Sequence, residues 1–357
     1  MNTPLNARAH AATVTDLARQ PRSVAELRSW LDLHQEDVLE PDLPIIDPHH
    51  HFWERPGHRY LLHEFLDDAN SGHNIRATVF VECNAMYRAG GPAAMRPVGE
   101  TEFANGMAAM SASGNYGSIA VSAGIVASAD LLLGDAVQAV LEAHIAVSGG
   151  RVRGIRNQGA TDEALPWEPQ RTRHLLADSR FRAGFARLAP MNLAYDAWQY
   201  FPQLGEVIDL ARSFPGTPIV LNHLGGVLGV GGYEGRREEH FPLWRTHMRN
   251  LAACENVTVK VGGLGMPRVG FDFALRAEPP TSEELAAAWR PYIETCIEAF
   301  GPQRCMFESN FPPDNHCCSY RVLWNAFKRL AASCSAEQKA ALFHDTAARV
   351  YRLLPAD

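Results

Sequence analysis

The chain has 357 residues, 46% hydrophobic and 20% charged, with a net charge of −7 at pH 7; that composition supports a sizeable core and excludes a disordered or fibrous protein. A mildly acidic chain without a Lys/Arg block has no electrostatic footprint for nucleic acid or an anionic membrane surface. No stretch resembles a secretory signal or the roughly 20 apolar residues that span a bilayer, and the seven cysteines include no CxxC pair, so a cytoplasmic chain without a disulfide framework or zinc knuckle is expected.

Residues 1–43 read as an appendage, with a polar lead, a helical stretch at 25–39 and the breaker-rich run Glu40-Pro41-Asp42-Leu43-Pro44. The catalytic domain is expected over 44–357. From Pro44 onward, short β-branched runs alternate with helix-like stretches, the pattern of parallel strands joined by crossover helices. Strands are predicted at 44–49, 76–82, 118–125, 152–156, 185–192, 218–223, 256–261 and 304–309. Helices are predicted at 130–148, 170–183, 199–214, 238–254 and 283–300, with a closing helical region at 319–353. Eight such units define a (β/α)8 TIM-type barrel with an N-terminal helical extension. The glycine-rich run 224–236 has neither phosphate-loop spacing and is expected to be a mobile loop above the barrel. The stretches 85–105 and 262–280, rich in Gly, Pro and Arg, read as long functional loops.

Three strand ends carry chemistry. In Ile45-Ile46-Asp47-Pro48-His49-His50-His51 the alternation of a strand sends Asp47, His49 and His51 to one face. His49 and His51 can then share one metal ion, and neutral imidazoles suit zinc and other divalent transition metals. A second apolar strand ends in His223, and strand ends converge at the mouth of a barrel, so three histidines are expected to face one cavity. The third strand, 304–309, directs Met306, Glu308 and Asn310 to one side, followed by a Pro-Pro turn and Asp314. A carboxylate here would take a proton from water or complete a metal site; the competing reading makes Glu308 a buried partner of Arg156 or Lys260. The adjacent Cys317 and Cys318 are candidates for reactivity.

Asp-Pro-His-His-His-Phe-Trp, the strand ending in Asn-His-Leu-Gly-Gly, the Val-Lys-Val-Gly-Gly-Leu run and the strand before the proline turn together resemble the amidohydrolase superfamily, in its lactonase-like branch, over residues 44–354. The resemblance implies a distorted (β/α)8 barrel with its site at the C-terminal mouth, His49 and His51 as the strand 1 pair and His223 as the later histidine. The family's last strand ends in Ser-Asp-Trp/Phe-Pro, and that Asp binds metal and activates water. Here the segment is Ser309-Asn310-Phe311-Pro312. An amide cannot act as the base, so the base is sought at Glu308, Asp314 or Glu82, and Asn310 is left to orient water.

The function expected from the residues and the resemblance is hydrolysis of a small lactone or ester. A metal-dependent decarboxylase, an amidase and a non-catalytic binding barrel stand as alternatives. His49, His51 and His223 are the expected ligands of one divalent ion, with zinc the leading candidate; a metal-free site stays open because Asn310 replaces Asp. Glu82, Arg156 and Lys260 are the expected substrate-binding groups, favouring a carboxylated or oxygen-rich small molecule. Arg88 and Arg268, on glycine-containing loops, are candidates to reach over the mouth. The sequence leaves homo-oligomerisation open.

Overall fold

A computed structural model describes residues 13–19 and 22–353. Eight parallel strands pair in chain order: β1 Pro44–His50, β2 Asn74–Val81, β3 Ala120–Ser128, β4 Val152–Arg156, β5 Ala194–Ala197, β6 Ile219–Leu221, β7 Val257–Lys260 and β8 Cys305–Met306. The ring closes through the chain just beyond β8: His50 bridges Phe311, His51 N donates to Phe311 O at 2.9 Å, and Asn310 N donates to His49 O at 2.9 Å. The architecture is a (β/α)8 barrel distorted at β8, which has only two paired residues. A small antiparallel hairpin, Trp53–Arg55 with His58–Tyr60, stands at the exit of β1. No helix among the described residues is long and apolar enough to cross a membrane.

The core has two parts. Ile46, Val79, Val81, Val126, Val220 and Met306 fill the barrel interior, which Tyr351 enters from the C-terminal segment. A larger apolar layer lies between the strands and the outer helices. Each fully buried Val, Leu, Ile or Phe contributes about 1.5–3 kcal/mol, so the scaffold that carries the mouth is rigid.

Seven of the eight predicted strands coincide with observed ones. The exception is 185–192, which starts at the last residue of a helix, Ser179–Phe185, and runs into a 3-10 turn, Ala189–Met191. Phe181 and Phe185 lie one turn apart on the helix's buried side, and the Asp178 carboxylate caps its start by accepting from Arg180 N at 2.7 Å. The fifth strand is instead Ala-Tyr-Asp-Ala, whose low β-propensity is overridden by the barrel around it. Helix Val98–Ala112 occupies part of the stretch read as a loop at 85–105. The glycine-rich run is packed rather than loose: residues 223–230 are buried, and a Cβ on Gly229 would come within 2.2 Å of Val269 O. Side chains do not alternate cleanly along β1 either. Its pairing with β2 shifts register between Asp47 and His50, so Asp47 accepts from Ser309 N at 2.9 Å and from Tyr320 OH at 3.1 Å, the latter on an outer helix. His51 lines the mouth, and His49 is buried beside it.

Candidate active site

The ends of β1 and β6 bring three imidazoles together, with ring centroids 4.9 Å apart for His49 and His51 and 4.5 Å for His49 and His223. Two of them are oriented by their Nδ1 atoms. His51 Nδ1 lies 2.7 Å from Val81 O, which can only accept; Nδ1 therefore carries the proton and Nε2 keeps its lone pair. His223 Nδ1 lies 2.7 Å from Glu308 Oε1, which also accepts from the His223 backbone N at 3.2 Å. The other carboxylate oxygen, Oε2, stands 2.8 Å from His49 Nδ1 but is not aligned for a hydrogen bond, so it is a buried acceptor without a donor. Burial, with Lys260 and Arg156 nearby, holds all three imidazoles well below their usual pKa and so neutral. Burial pushes Glu308 up to about 8 against the pull of Lys260.

Local backbone makes these approaches possible. His223 and Asn310 both adopt left-handed φ, +53° and +51°, an unfavourable conformation that persists only when the surroundings enforce it. Gly262 and Gly263 follow β7 directly beside the cluster. A Cβ on Gly262 would sit 2.5 Å from Glu308 Cγ, and one on Gly263 2.5 Å from His223 Nδ1.

The remaining polar residues form two buried ion pairs behind the histidines. Arg156 Nε donates to Glu82 Oε1 at 2.6 Å, and Gln158 Nε2 donates to the same oxygen at 2.7 Å. Lys260 Nζ lies 2.8 Å from Asp196 Oδ2, which also accepts from Asn222 Nδ2 at 2.9 Å; Tyr351 OH lies 3.0 Å from both Asp196 oxygens. Glu308 is thus a partner of histidines and of neither cation in the competing reading. The cations still reach His49: Arg156 stands 3.4 Å from Nε2 and Lys260 3.3 Å from Nδ1.

A cavity of about 310 Å³ opens on this cluster, lined by His51, His223, Arg156 and Asn310 among others. Arg55, Arg171 and Arg268 also line it, with Trp53, Trp198, Tyr200 and a single carboxylate, Glu168, which lies 3.3 Å from Arg268. Of the sequence candidates, His49, Glu308, Asp314, Glu82 and Lys260 are buried behind the wall and do not line the cavity, so two of the three histidines expected there, His51 and His223, face it. Asp314 instead accepts from Asn310 Nδ2 at 2.6 Å and Gly265 N at 2.8 Å. With its nitrogen on Asp314 Oδ1, the Asn310 amide has its oxygen turned away from that group. Arg88 pairs with Glu102 on the exposed surface and does not reach the mouth. Cys317 and Cys318 are buried, and burial pushes the Cys318 thiol well up, which removes its reactivity. A larger cleft, about 540 Å³ between helix Val24–Leu31 and Tyr320, shares no lining residue with the histidine cavity.

The sequence reading missed Asp196, Asn222, Arg55, Arg171 and Trp198. Asp196 lies on the observed β5, beyond the strand expected at 185–192, whereas Asn222, which directly precedes His223, was readable in principle. The donor set fits a divalent ion. His49, His223 and Glu308 offer ligand atoms within 4.8 Å of one another, the Oε2 acceptor lacks a donor, and the His51 nitrogen that faces the cavity is fixed by a carbonyl behind it.

The chain belongs to the amidohydrolase family, whose model matches residues 46–353. Among its relatives, the uncharacterized protein y4mH of Sinorhizobium fredii is 34% identical over 338 residues, 87% of this chain and 99% of that one. The L-fucono-1,5-lactonase of Burkholderia multivorans is 31% identical over 211 residues, 58% of this chain and 66% of that one. An amidohydrolase from Burkholderia multivorans solved with bound zinc superposes with a TM-score of 0.66 at 26% identity, covering 87% of this chain and 99% of that one. A putative 2-pyrone-4,6-dicarboxylic acid hydrolase from Pseudomonas putida, at TM-score 0.60 and 18% identity over 87% of this chain and 98% of that one, shares the fold.

Proposed function

We propose that the protein hydrolyses a small lactone or ester bearing a carboxylate, and releases the hydroxy acid. The observation that carries this reading is the cavity wall: two neutral imidazoles and a fixed amide stand at one place, beneath arginines of which Arg55 and Arg171 have no acidic partner among the described residues. Such a wall attracts an anion and presents it to a water. The similarity to a lactonase supports the choice of bond.

Water held by the Asn310 amide oxygen and His223 Nε2 attacks the carbonyl carbon, and its proton passes to His223 Nε2. Glu308 stabilises the resulting imidazolium through Nδ1–H. Arg156, on the cavity wall, stabilises the tetrahedral oxyanion. The acyl carbon–oxygen bond then breaks, and His223 returns the proton to the departing alkoxide oxygen. The base is therefore His223 backed by Glu308, which removes the need for a carboxylate at position 310. His49, His51 and the Glu308 Oε2 oxygen that lacks a donor would hold a divalent ion, with zinc the expected one, leaving Oε1 to His223, and such an ion polarises a carbonyl when bound.

A panel of carboxylated and neutral five- and six-membered lactones, followed by acid release, tests the reading alongside CO2 release and zinc content. Ring opening without CO2, faster for the carboxylated members, is expected. CO2 release transfers the assignment to a decarboxylase on the same fold, and silence on every substrate refutes the hydrolase and leaves a binding barrel.

A further inference from the structure

Two loops of the cavity wall, one carrying Glu168 and Arg171 and the other Met266 and Arg268, are locked to a third at 227–236. Tyr233 OH donates to Asp162 Oδ2 at 2.7 Å, Gly229 N donates to Arg268 O at 3.0 Å, and Arg237 NH2 donates to Val269 O at 2.7 Å. Arg268, which carries the wall, also donates to Tyr200 OH at 2.6 Å. The N-terminal extension lies across this assembly. Helix Val14–Arg19 packs on 267–269 and 272–275, with Val14 buried in the main apolar layer. Thr15 Oγ1 accepts from Gly231 N at 2.9 Å and its hydroxyl meets the Glu234 carboxylate. The Arg19 guanidinium stands 5.6 Å from the Trp167 ring. Further along, Trp30 Nε1 donates to Arg276 O at 3.1 Å. The extension thus touches all three loops, at 167, 231–234 and 267–276, while the contacts that close the barrel use no residue before Pro44.

We infer that the N-terminal extension is a positioning element for the substrate cavity, acting through Thr15 and Trp30 to hold the wall that carries Arg268 and Glu168. Loops held by few bonds open at low free energy, and the extension adds bonds at Gly231 and Arg276 to those that the loops make with one another and with the outer helices. It supplies no group to the reaction; it sets where the Arg268–Glu168 pair stands, and so the size and charge placement of the ligand admitted. The inference rests on the reading of this cavity as the substrate site.

The test uses the full chain with Thr15→Val, which removes the hydroxyl, Trp30→Phe, which keeps the ring packing but removes the N–H, and the two combined. Hydrogen exchange is read by mass spectrometry in the peptides covering 162–171, 227–236 and 266–276, with the barrel strands as internal control. Exchange in those loops is expected to quicken by about fivefold per lost bond, with the strands unchanged. On any substrate opened, KM is expected to rise about three- to tenfold with kcat within about twofold of the parent, and Thr15→Ser to restore both. Unchanged loop exchange in the double variant overturns the hold, and quickened exchange with unchanged KM overturns the positioning role. If the parent opens no lactone, calorimetric binding of citrate replaces KM. Failure of the parent to bind it refutes both the cavity reading and the positioning role, whatever the exchange result.

Discussion

Replacing Glu308 by Gln keeps the shape of the side chain and removes the carboxyl that stands between two histidines. In the parent, Oε1 accepts from His223 Nδ1 at 2.7 Å, and a bond of this kind between neutral groups is worth about 0.5–1.5 kcal/mol. An amide turned with its nitrogen toward His223 forces that imidazole into the other tautomer, with the proton on Nε2. The lone pair that faces the cavity is then lost. Loss of a general base lowers turnover by roughly 10²–10⁴-fold, or about 3–5 kcal/mol of transition-state stabilisation. Stability should change little, because burial already favours the neutral form of this carboxyl, whose pKa is about 8. The assay is kcat and kcat/KM on the lactone that turns over best, with the Tm measured beside it and the His223 tautomer read by nitrogen-15 NMR. Turnover within threefold of the parent, in a folded protein whose His223 has changed tautomer, refutes the His223–Glu308 pair as the base.

Asp196→Asn leaves Lys260 buried without its counter-charge and is expected to cost about 3–5 kcal/mol in urea unfolding at pH 7; adding Lys260→Met should recover most of that loss, and a cost below 1 kcal/mol contradicts the pairing argument. His144 is buried with Nε2 3.0 Å from Ser128 O and Nδ1 2.8 Å from the Thr101 hydroxyl, and burial pushes its pKa down to about 4. The unfolded chain takes up a proton near pH 6.5 that the fold refuses, so stability is full above pH 6.5 and falls as the pH drops toward 4, by up to about 3 kcal/mol. Urea unfolding at pH 7 and pH 5 should show a smaller acid loss in His144→Gln, and identical losses would contradict the assignment. Gly263→Ala forces a Cβ to within 2.5 Å of the His223 ring at a φ of +73°, so kcat is expected to fall at least tenfold, at a stability cost of about 1–3 kcal/mol. Gly216→Ala, with open space around it, should leave both unchanged.

The sequence by itself determined the barrel and the mouth end of three strands. Apolar runs of strand length between helix-length stretches leave little choice of fold, and His49, His51, His223, Glu308 and Asn310 all end or follow apolar runs, where a barrel puts its site. What it could not determine was pairing across the barrel. Lys260 and Glu308 lie on adjacent strands, yet the Lys260 partner is Asp196, 64 residues away on β5, and the Glu308 partners are histidines on β1 and β6. Burial decides such choices, because each charge out of water must find its nearest counter-charge or acceptor, and nearness is set by strand stagger and register shifts with no local signature. The shift at Pro48 turned Asp47 outward for the same reason. The cavity's charge was likewise a tertiary fact: Arg55 ends a hairpin strand while Arg171 and Arg268 lie on two segments far along the chain, and only their convergence over the histidines makes an exposed-looking arginine part of a binding wall.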